Sequence, residues 1–218
     1  MKNIFTRYGL IVAIALISII VGCTQNTNNP DVPDTTGMTD QELLSELNAA
    51  RTNPAQYAQY LESLRKYYDG NLYKVPGEIT LQTNEGIGGL NNAIQFLKSA
   101  TPRSALRLSN GLMNAARDHV QDTGPKGISG HTGSNGSTLD SRISRYGKWN
   151  IKCGENIAYG PKTARDAIIQ LIIDDGNTSR GHRENIFEEK FKFVGTTSGV
   201  HKTHKTMAIQ VFAAEYTE

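Results

Sequence analysis

The chain has 218 residues and a formal charge of +2, with 38% hydrophobic and 20% charged positions. That much apolar surface can bury a core, which excludes a wholly disordered protein. Both excess charges, Lys2 and Arg7, lie in the first 22 residues, so the rest balances at 21 basic and 21 acidic side chains, and no nucleic-acid-binding surface is expected.

Residues 1–22 read as a signal peptide. Gly9 to Val21 is an uncharged, mostly branched-aliphatic run of 13 residues, about 20 Å long as a helix and too short to cross a bilayer comfortably. It ends in Ile20-Val21-Gly22-Cys23, which resembles a bacterial lipobox. The resemblance implies that Cys23 is the lipidated first residue of the mature chain, so the membrane is an expected partner and the protein is exported and anchored there. Without lipidation at Cys23 it would be secreted. Residues 23–37 form a linker, because from Thr24 to Gly37 only Val32 is aliphatic and nothing offsets the entropy of ordering. Only Cys153 then remains, so no disulfide framework supports the folded part, residues 38–218.

Thr39 with Glu42, Leu43 and Leu47 predicts a capped helix to about Ala50. Asn53-Pro54 restarts it as far as about Tyr68, with Tyr57, Tyr60, Leu61 and Leu64 on one face. Residues 71–83 read as irregular, and Asn84-Glu85 opens a helix with Leu90, Ile94 and Leu97 inward. Ser109 caps the strongest helix, which carries Leu112, Ala116, His119 and Val120 and stops at Gly124-Pro125. A loop follows to Gly136, then a short helix from Ser137-Thr138 to Tyr146. Thr163 caps a helix from Ala164 to Asp175. Phe191 to Val200 and Met207 to Tyr216 read as paired strands joined by an exposed turn at His201 to Lys205. Helices first and antiparallel strands last give an α+β class.

Three polar clusters stand out: Gly130-His131-Thr132-Gly133, Gly154-Glu155-Asn156-Ile157-Ala158-Tyr159-Gly160 and Gly181-His182-Arg183-Glu184-Asn185-Ile186-Phe187. With them the chain, over about residues 39–218, resembles the CAP superfamily (SCP-like domains), named for cysteine-rich secretory proteins, antigen five and pathogenesis-related proteins. The resemblance implies a three-layer α-β-α sandwich with a central antiparallel sheet and a cleft holding two histidines and two acids. Carried over by motif, these are His131, Glu155 and His182, with Asp174 or Asp175 as the second acid. Helical periodicity favours Asp175, which extends the stripe of Ile168, Leu171 and Ile172.

Two imidazoles near two carboxylates suit a divalent metal such as Zn²⁺ held by His131 and His182, acid–base chemistry with Glu155 as general base, or a hydrogen-bonded structural network. The family's attributes and the lack of a convincing nucleophile favour a non-enzymatic binding module for a lipid, sterol-like or protein ligand. The alternative is a metal-assisted envelope hydrolase. His119 reads as a core histidine, Cys153 as an inert thiol, and Asn156 and Asn185 as holders of backbone. Arg183 is a candidate partner for Glu155 or Asp175, and the Tyr57/Tyr60/Tyr67/Tyr68 face as packing.

Overall fold

A computed structural model describes residues 37–218. The expected signal peptide, the lipidated Cys23 and nearly all of the linker lie outside the described residues. Among the described residues no helix is long and apolar enough to cross a membrane.

The first helix, α1 (Asp40–Thr52), starts where its cap predicts: Thr39 accepts from the Glu42 amide while Glu42 reaches back to Thr39. The second, α2 (Pro54–Ser63), is shorter than expected, because Leu64 leads into a single 3₁₀ turn at Arg65–Tyr67. The stretch read as irregular holds a small antiparallel sheet of two-residue strands, β1 (Tyr68–Asp69), β2 (Leu72–Tyr73) and β3 (Leu81–Gln82). Next come α3 (Ile87–Ser99), β4 (Arg107–Leu108), α4 (Asn110–Thr123) and α5 (Leu139–Ile143). The Ser109 and Thr138 side chains cap α4 and α5 as predicted.

The main sheet is ordered β4-β6-β7-β5, from β5 (Lys148–Tyr159), β6 (Phe193–His201) and β7 (Lys205–Thr217), with α6 (Ala164–Ile173) and α7 (Gly181–Phe187) between β5 and β6 in sequence. Its three long strands are antiparallel, and only the two-residue edge β4 runs parallel, to β6. Central β7 is buried on both faces, and its alternation divides the core. Ala208, Phe212 and Ala214 pack with α1, α2, α3, α6 and α7, whereas Met207, Ile209, Val211 and Ala213 pack with α4 and α5. Helices therefore cover both faces, giving the expected α-β-α sandwich of α+β class.

Glycine shapes one of these contacts. A Cβ on Gly195 of β6 would lie 2.2 Å from the backbone of Leu112 and Met113 in α4, and one on Gly199 would lie 2.2 Å from Val120 Cγ1. Helix α4 thus lies almost directly on the β6 backbone, and its C-terminal end delivers the loop that carries His131.

Candidate functional site

The loop after α4 sits at a fixed place because four rings hold it. His119 is fully buried in α4 and its Nε2 bonds the Gly130 carbonyl at 2.8 Å. Tyr159 of β5 accepts from the Gly130 amide at 2.8 Å. His201, expected in an exposed turn, is instead fully buried: Nε2 meets the Ile128 carbonyl at 3.2 Å while Nδ1 accepts from the Thr203 and His204 amides. The His204 ring packs on both Tyr159 and His201. His131 follows immediately, and Arg142 of α5 donates to its carbonyl at 3.1 Å.

Burial pushes the His119 pKa below its ordinary 6.5, overcoming the Gly130 carbonyl that favours the charged form. Among the described residues its buried Nδ1 has no hydrogen-bond partner, so an imidazolium would bury an unsatisfied N–H. Because the folded pKa is the lower one, the unfolded chain takes up the proton first. The contribution of His119 to stability is full above pH 6.5 and is lost as the pH falls below it. Urea unfolding should therefore show stability falling between pH 7.5 and 5.5, and a flatter dependence in His119→Gln; an unchanged slope would refute this assignment.

Two histidine–carboxylate pairs face one recess. Glu155, midway along β5, is only 2% exposed; Oε1 lies 2.9 Å from His131 Nδ1 and Oε2 accepts from Arg142 Nη2 at 2.7 Å. Burial raises the Glu155 pKa, but the His131 hydrogen bond and the Arg142 charge more than offset it, so the net direction is down. The second pair is His182 with Asp174: Oδ1 lies 2.7 Å from Nδ1, and Oδ2 accepts from the His182 amide at 3.0 Å. Asn177 donates to both Asp174 oxygens, and these bonds hold the Asp174 pKa down against its burial.

Asp175, expected as the second acid, is not part of this pair. Helix α6 ends at Ile173, and Asp174 takes up a left-handed conformation (φ 53°) as its C-cap. The helical stripe therefore cannot be extended to position 175, which turns away to accept from the Asn84 and Glu85 amides at 2.7 and 2.9 Å. Arg183 meets neither Glu155 nor Asp175. It donates to the Ile172 and Ile173 carbonyls at the end of α6 and to Asn92, satisfying helix-terminal acceptors. Asn156 and Asn185 bond each other, and Asn156 donates to the His182 carbonyl at 2.9 Å. Cys153 is half-buried, and burial raises its thiol pKa.

His131 and His182 line a recess of about 370 Å³ with Glu155, Asn177, Glu184 and Asn185. Each imidazole has its Nδ1 engaged by a carboxylate oxygen, which leaves Nε2 as the atom available to meet a ligand. His131, 55% exposed, is the more open of the two.

For a metal ion this arrangement is incomplete. Both oxygens of Glu155 and of Asp174 are already engaged, and two Nε2 atoms fall short of the three or four protein ligands that Zn²⁺ takes. Among the described residues no group of three or more His, Cys, Asp or Glu side chains is disposed to hold a metal. The residues present do not fit a metal centre. Glu155 is also a weak base, with its pKa held down and both oxygens occupied.

The model of the cysteine-rich secretory protein family, CAP, matches residues 44–215. No curated protein sequence matches the chain. Among solved structures, an outer surface protein of Borrelia burgdorferi is 18% identical, with a TM-score of 0.42, over 50% of this chain and 76% of that one. An extracellular protein containing an SCP domain, from Bacillus anthracis str. Ames, is 24% identical with a TM-score of 0.43, over 58% of this chain and 38% of that one.

Proposed function

The chain belongs to the cysteine-rich secretory protein family, and on that premise we propose that it is an exported, non-enzymatic binding domain whose imidazole recess takes a polar group of a protein ligand. The observation that carries this reading is that both carboxylates are saturated by internal hydrogen bonds, while the two Nε2 atoms are left to face a partner. A site built this way holds its donors and acceptors rigid, which suits recognition. It offers no activated nucleophile and no poised base.

Of the lipid, sterol-like and protein ligands compatible with the sequence, the polar lining favours protein. The leader and its lipobox support anchoring through Cys23, which would hold the domain at the cell envelope on a short tether. Two measurements test the proposal. Cys23→Ser should move the protein from the membrane fraction to the medium. The purified chain should bind solubilised envelope protein saturably, and His182→Ala should weaken that binding about tenfold or more without a matching loss of Tm. Binding unaffected by His182→Ala, or saturable binding only to phospholipid vesicles, would overturn it.

A further inference from the structure

Helix α7 separates two recesses. Its His182 and Asn185 line the polar one, and Phe187 lines a second, of about 330 Å³, whose floor is the Phe96–Phe187 pair packed edge to face at 5.0 Å. Glu184 lines both. It is exposed and, among the described residues, forms no ion pair, whereas the two cations at the rim of the second recess are neutralised, Lys152 by Glu188 and Arg103 by Glu189. The uncompensated charge between the recesses is therefore negative. On the polar side, Nδ1 of each imidazole is engaged by Glu155 or Asp174, so the neutral form of each ring presents Nε2 as a further acceptor.

Each recess is at the small end of ligand cavities, which run to roughly 300–1,000 Å³, and is sized for one side chain at a time. Resting on the binding role proposed above, we propose that the two recesses are adjoining subsites for one extended peptide segment of the protein ligand. A lysine or arginine side chain enters between His131, His182 and Glu184, and a nearby aromatic or large aliphatic side chain enters over Phe96 and Phe187. Charge complementarity selects this occupant. An ammonium or guanidinium group satisfies several acceptors at once, and an acidic segment would meet Glu184 unscreened.

The probe is an array of acetylated, amidated octapeptides carrying Lys, Gln or Glu at one position and Phe or Ser one to four residues away, titrated with the full chain. Peptides with both Lys and Phe should bind at least tenfold tighter than those with Glu or with Ser. Glu184→Gln should cut the preference for Lys over Gln about fivefold and leave the preference for Phe. Thr101→Trp, which fills the second recess from its exposed rim, should abolish the preference for Phe over Ser and keep that for Lys. Selection of acidic or wholly polar peptides in a His182-dependent manner would overturn this inference and leave the binding role standing. A blank array beside saturable envelope-protein binding would do the same, and a blank array with no such binding would remove both.

Discussion

Replacing Arg142 with Met is expected to cost about 3–5 kcal/mol, the penalty for removing one partner of a buried ion pair, and to lower Tm by roughly 6–20 °C in a domain of this size. The guanidinium is 1% exposed and faces a carboxylate that is 2% exposed. Without it, the Glu155 carboxylate keeps, among the described residues, only the half-exposed His131 as a partner, and the His131 and Ser137 carbonyls both lose a donor. Losing the Arg142 charge leaves burial to push the Glu155 pKa up, so the stability of the variant should fall with rising pH, opposite in sign to the His119 effect. The double variant Arg142→Met/Glu155→Gln leaves no unpaired charge and should recover at least half of the loss. If the single and double variants unfold together, the Arg142–Glu155 pair does not carry the site.

Arg142 also marks where sequence reading of the site ran out. His131, Glu155 and His182 are flagged by motifs, and all three meet at one recess. Arg142 lies in a five-residue helix with no motif around it, and its importance comes only from what α5 is folded against. Between Asp174 and Asp175, periodicity favours the wrong neighbour for a different reason. Periodicity assumes that the helix continues, and a left-handed C-cap ends the period one residue too early for Asp175. His201 could have been found from the strand alternation: it follows Gly195, Thr197 and Gly199 at steps of two, on the face of β6 that packs on α4.

The fold was most legible where local chemistry decides it. Thr39, Ser109, Thr138 and Thr163 each cap the helix they predict, because a side-chain oxygen satisfying an orphan amide is a short-range effect. Strand β5 carries little local signal, because Asn150, Gly154 and Asn156 are poor strand formers. Ten residue pairs with β7, interrupted by a bulge between Asn150 and Cys153, override that tendency. The small sheet of residues 68–82 is invisible for another reason: two-residue strands carry no measurable period.

Gly195→Ala provides the sharpest separation of local preference from packing. By propensity alone the change should help, because glycine in a strand interior is worse than alanine by roughly 0.5–1 kcal/mol. The new methyl, however, would sit 2.2 Å from the Leu112 carbonyl carbon and the Met113 amide nitrogen, which are backbone atoms no rotamer change can move. Helix α4 must shift off the sheet, and overpacking of this kind costs about 3 kcal/mol or more. Gly199→Ala meets a side chain instead, Val120 Cγ1 at 2.2 Å, and needs a rotamer or side-chain shift rather than a backbone one, so its cost should stay below about 2 kcal/mol. Thermal unfolding of the two variants decides the matter, and equal Tm values would rule out the backbone contact. A displaced α4 also carries His119 away from the Gly130 carbonyl. Gly195→Ala should therefore weaken the proposed ligand binding at His131 even where the protein remains folded, whereas Gly199→Ala should not.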